Sequence, residues 1–68
     1  MNPQIEAHAL LIQADRTMLR VLDAVSLGET TLDAPDVRAW AEYRRDLRVI
    51  AAGGSGPLPA RPPFPANT

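Results

Sequence analysis

The side chains with the most chemical potential in this chain crowd into one stretch, WAEYRRDLRVI, Trp40 to Ile50. It holds the only Trp, the only Tyr and Arg44, Arg45 and Arg48, with Arg38 just ahead of it. Guanidinium groups are planar, permanently charged and suited to bidentate contacts with carboxylates or phosphates. Aromatic rings beside them are the residues that most often anchor a partner. Groups for covalent or acid–base chemistry are scarce by comparison. There is no Cys, and the single His, His8, shares a helix side with Ile5 and Ile12 and has no second ligand at metal-site spacing, so it reads as a packed or rim residue. No glycine-rich loop follows a strand, and no pair of carboxylates has a credible pocket around it. The expectation is a binding protein: not an enzyme, with no metal and no cofactor.

Four arginines within Arg38 to Arg48 could line the recognition helix of a small nucleic-acid-binding or regulatory protein, and this is the alternative reading. Three features weigh against it. The formal net charge is −1, the first half of the chain carries most of the acids, and the two helices the sequence offers fall short of the usual three. All seven basic residues are Arg, which a GC-rich coding sequence explains first. A membrane is not the expected partner either, because no segment approaches the ~20 apolar residues a bilayer requires. The N-terminus lacks the charged and apolar regions of a signal peptide. On these grounds the chain reads as soluble and intracellular.

Two helices must position these groups. The stretch NPQIEAHALLIQADRTMLRVLDAVSLG predicts the first, with Asn2 as N-cap, Pro3 at the first helical position, Glu6 in the early turns and Gly28 as the stop. At about 100° per residue, Ile5, Leu11, Ile12, Met18, Leu19, Leu22 and Val25 collect on one face wide enough to be buried by more than one neighbour. Asp15 falls in the middle of that face. It reads either as a carboxylate at a solvated rim, the more ordinary case, or as a polar contact to an Arg on another helix or chain that fixes the register of an interface.

The connector GETTLDAP suits an antiparallel pair, and Asp33 with Asp36 resembles a capping box in front of a second helix from about Pro35 to Ala52. Val37, Trp40, Leu47 and Ile50, with Tyr43 beside them, form its apolar side. The expected fold is therefore all-α: a two-helix antiparallel hairpin over residues 1–52 with an extended Pro-rich tail over 53–68. GGSG acts as a flexible joint, and PLPARPPFPANT holds five of the seven prolines. The tail contains a PxxP spacing, Pro59 to Pro62. Phe64 and its prolines could fold back onto Trp40 and Tyr43 or lie along a partner.

About fifty residues make a small core. Without Cys, self-association or a larger partner is the physical remedy. The order of features then becomes informative: a helix with R..LR, a polar connector with Asp and Pro, W..YR..LR.I, a Gly/Pro break, and a closing Pro-aromatic-Pro segment. This order resembles the small tail assembly chaperones of tailed bacteriophages, whose C-terminal half carries W-x-x-Y-R-x-x-L-R-x-I before a Pro-rich end. Here the matching positions are Trp40, Tyr43, Arg44, Leu47, Arg48 and Ile50, then Phe64 and Pro65, within a resemblance spanning about residues 15 to 65. Asp23-Ala24 stands where the family usually has Asp-Trp, and Phe64 where it usually has Trp. The resemblance implies a protein that binds a phage tail or tail-fibre protein in the host cytoplasm during virion assembly, with retention in the virion tail as one outcome. Trp40, Tyr43, Arg44, Leu47, Arg48 and Phe64 are the candidate partner-binding residues, and a homo-oligomer is a further expectation.

Overall fold

The computed structural model describes residues 2–68, and Met1 lies outside the described residues. Two helices form the hairpin: α1 spans Pro3–Ser26 and α2 spans Pro35–Ala51. The start of α1 is the one its sequence specifies. Asn2 is the N-cap, its Oδ1 accepts the Gln4 N–H at 2.8 Å, and Pro3 occupies a position whose missing N–H costs nothing.

Both helices end in the same way, on a glycine with positive φ. After α1, Gly28 (φ 74°) lets its N–H reach the Val25 carbonyl at 3.1 Å while Glu29 N–H reaches that of Ala24 at 2.9 Å. After α2, Gly53 (φ 100°) and Gly54 repeat the pattern on Ile50 and Val49, at 3.0 and 2.9 Å. This paired closure satisfies carbonyls that a helix end otherwise leaves without partners, and it requires the left-handed conformation that glycine adopts without steric cost.

The start of α2 departs from the sequence expectation. Ala34 is the N-cap and offers no side-chain cap, so Asp33 and Asp36 form no capping box. Asp36 instead accepts the neighbouring Val37 N–H at 2.8 Å and uses its other oxygen elsewhere, on the tail. The helix itself starts at Pro35 and ends at Ala51, one residue before the expected boundary.

The core is built from unequal partners. On α2, Val37, Trp40, Tyr43, Leu47 and Ile50 are all buried, as their spacing predicts. On α1, however, the buried residues are Ala7, Ala14, Thr17, Val21 and Ala24. The broad apolar face expected to form the core is not the one that packs. Leu11, Met18 and Val25 are partly buried at its edge, whereas Ile5, Ile12, Leu19 and Leu22 are 67, 60, 63 and 49 % exposed. Volume explains the choice. An indole and a phenol on α2 fill the space between the helix axes, so the facing positions on α1 must be small for the interior to reach ordinary packing density. Alanine adds little to an apolar moment, and a reading weighted toward large side chains passes over it.

The segment after α2 has no regular secondary structure, yet it is folded. It returns along the hairpin, with Leu58 packed against the core and Pro65 buried. The whole measures 39 × 18 × 17 Å, close to the ~36 Å length of a 24-residue helix at 1.5 Å per residue. The tail therefore adds thickness beside the hairpin and does not extend it.

Candidate functional site

The returning tail and the middle of α2 meet at Trp40. The indole is buried (1 % exposed), and its Nε1–H donates to the Pro63 carbonyl at 2.8 Å. A buried indole needs a partner for its N–H, and here a residue 23 positions later in the chain supplies it. Phe64 then stacks on the indole, with ring centroids 5.6 Å apart and planes 13° from parallel. On the other side Tyr43 meets the indole edge-on, at 5.4 Å and 87°.

Beyond Phe64 two hydrogen bonds pin the end of the tail. Ala66 N–H donates to Asp36 Oδ2 at 3.0 Å, and Asn67 Nδ2 donates to the Glu29 carbonyl at 3.1 Å. The sequence left the tail two options, folding back or lying along a partner. In this structure it folds back, and Phe64 remains 57 % exposed on its outer side.

The arginines divide by role. Arg44 Nη2 bonds Asp15 Oδ1 at 2.7 Å across the two helices, so Asp15 is both a carboxylate at a solvated rim and a polar contact to an Arg of the other helix. The side chains are 28 and 57 % exposed, so solvent screening keeps the pair's worth near that of a surface ion pair, about 0–1 kcal/mol. Arg45 approaches its neighbour Asp46 at 3.4 Å, and Arg48 is exposed.

Of the six residues nominated from the sequence, Trp40, Tyr43 and Leu47 thus belong to the core. Arg44 is engaged by Asp15, while Arg48 and Phe64 present surface to solvent.

Sequence reading did not nominate a second group of cations. Arg16 and Arg20, one turn apart on α1, and Arg61 from the tail line an open cavity of about 140 Å³ between α1, α2 and the tail. The Arg61 guanidinium lies over the Phe64 ring, 4.4 Å from its centroid, which fixes the arginine at the cavity edge. Trp40, Tyr43 and Phe64 contribute aromatic surface, and Thr17 is the one buried polar residue nearby. Burial pushes the Tyr43 phenol above its ordinary value, while the nearby Arg61 charge opposes that shift. The i, i+4 spacing of Arg16 and Arg20 was readable beforehand. Their meeting with Arg61, more than forty positions away, depends on the tail's return.

Among the described residues no group of three or more His, Asp or Glu side chains is placed to hold a metal ion, and no helix is long and apolar enough to cross a membrane. In comparisons with known proteins, no family model, curated protein or solved structure matches the chain.

Proposed function

We propose that this chain is a non-enzymatic phage tail assembly protein that binds a tail or tail-fibre protein. The reading rests on the motif W-x-x-Y-R-x-x-L-R-x-I with its later Pro-Phe-Pro segment. In this structure the motif's scattered positions belong to one packed unit, which suits a motif that specifies a fold. Trp40, Tyr43, Leu47 and Ile50 are buried together, Arg44 reaches back to Asp15, and Phe64 closes on Trp40.

A binding role also suits what the hairpin leaves uncovered. Ile5, Ile12 and Leu19 recur every seven residues along α1, with Leu22 beside them, and all four are exposed among the described residues. Exposed apolar side chains gathered on one helix side, here interspersed with Asp15, are a common mark of a protein-interaction face. The test is co-expression with phage tail and tail-fibre proteins, followed by affinity capture of this chain. Co-purification of one of them at fixed stoichiometry is expected, with loss of capture when Ile12 and Leu19 are changed to Glu. Failure to retain any of them refutes the assembly role.

A further inference from the structure

Three cations line one cavity without a counter-charge. Arg16, Arg20 and Arg61 line it, no carboxylate does, and none of the three forms an ion pair among the described residues, where the pairs found are Arg44–Asp15 and Arg45–Asp46. Like charges gathered at one point repel, and an anion seated between them relieves that repulsion while gaining charge-assisted hydrogen bonds. The arrangement is also held in place. Arg61 is fixed over Phe64, Phe64 is stacked on Trp40, and Trp40 is bonded to Pro63. Arg61 therefore borders a formed concavity, which Arg16 and Arg20 reach as exposed side chains of α1.

The walls specify the rest of the ligand. Leu10 and the exposed Phe64 ring supply apolar surface, with Trp40 and Tyr43 almost fully buried behind them, and Thr17 also lines the cavity. About 140 Å³ accommodates a ring or a branched aliphatic group together with a small anionic head. A polyanion would need cations spread along a track, since its charges recur at fixed intervals. Here the three line a single cavity. On α2 the exposed Arg38, Arg45 and Arg48 alternate with the exposed Glu42 and Asp46, so the helix offers no unbroken positive track to a continuing phosphate chain.

We propose that this cavity is a binding site for a carboxylate carried on an apolar or aromatic body, such as the terminal carboxylate of a peptide ending in a bulky apolar residue. The arginine forks grip the carboxylate while the rings cover the body. The ligand chemistry is read from the cavity alone and stands whether or not the partner is a phage tail protein.

The experiment is isothermal titration calorimetry on the full chain, with emission of Trp40, its only tryptophan, as a second readout. The probes are N-acetylphenylalanine, its amide, acetate and inorganic phosphate. Saturable binding of N-acetylphenylalanine is expected, at least tenfold tighter than that of the amide, acetate or phosphate and weakening as salt rises. The exposed variants Arg16→Gln and Arg20→Gln, checked for unchanged far-ultraviolet circular dichroism, each weaken it about tenfold, the size of one charge-assisted hydrogen bond.

Equal binding of the amide overturns the anion requirement, and equal binding of acetate or phosphate overturns the apolar one. Unchanged affinity in the double variant Arg16→Gln/Arg20→Gln overturns the site itself. Displacement of N-acetylphenylalanine by a short oligothymidylate at lower concentration reassigns the cavity to nucleic acid.

Discussion

Replacing Phe64 by Ala isolates the contribution of the tail, because this residue belongs to the docked segment and meets the hairpin at Trp40. Three losses combine. The ring stacks on Trp40 at 5.6 Å, an arrangement worth about 0.5–1.5 kcal/mol beyond its buried area. It carries the Arg61 guanidinium at 4.4 Å, worth about 0.5–1 kcal/mol at an exposed site. It is 57 % exposed, so less than half of the ~1.5–3 kcal/mol for full burial of a phenyl side chain is at stake, or about 1 kcal/mol. The total is about 2–3.5 kcal/mol. A chain of 68 residues has roughly 3–10 kcal/mol of stability, so the variant loses a large share of it and melts ~10–20 °C lower. Urea unfolding followed by far-ultraviolet circular dichroism and by Trp40 emission is the assay. The two transitions coincide in the parent protein if tail and hairpin form one cooperative unit. In the variant, Trp40 emission shifts to the red before the helices melt. A change below about 0.5 kcal/mol, with emission unaltered, would refute the docked tail and the cavity that depends on it.

Other perturbations separate the core from the surface. Trp40→Ala removes both a hairpin anchor and the tail's hydrogen bond, and equilibrium unfolding should register a loss of ~3–5 kcal/mol. Asp15→Asn should cost at most about 1 kcal/mol, a cost that vanishes in high salt, because the Arg44 pair is solvent-exposed. The double change Ile12→Glu/Leu19→Glu should leave monomer stability within about 1 kcal/mol, since both residues are exposed, while sedimentation analysis reports loss of any self-association. Stability should be flat to about pH 9 and fall as pH rises through 10. The unfolded Tyr43 phenol ionises near 10, the folded one higher, so the folded state holds the proton longer and the unfolded state gains on ionising. Tyr43→Phe should abolish that decline, and with no Lys in the chain no lysine titration overlaps it.

The hairpin was legible because its signals are local. Asn2 and Pro3 start α1, Gly28 ends it, and Pro35 with the spacing of Val37, Trp40, Leu47 and Ile50 defines α2 and its buried side. The face of α1 that packs was not legible. Ala14 takes the interior beside Trp40 and Tyr43, which need the room, and Ala7 and Ala24 are buried toward the two ends, a pattern that exists only once the helices are placed side by side. Asp15 shows the same limit. Its helix contains no suitable base, and its partner Arg44 lies 29 residues on. The arginine-lined cavity lay beyond local reasoning altogether, since it needs the tail to carry Arg61 back to α1.

The clasp between Pro63, Phe64 and Trp40 also sets a threshold for recognition at that ring. A segment tethered to its own receptor acts at an effective concentration in the millimolar range for short flexible linkers, and the glycine-containing stretch after α2 supplies such a linker. Any foreign proline-rich strand aimed at Trp40 must displace this resident one, so its apparent affinity falls by the fraction of time the clasp is shut. Specificity follows from that competition: weak proline-rich segments, abundant in any cell, are turned away from the indole, and only a strand that adds contacts beyond the clasp can take its place.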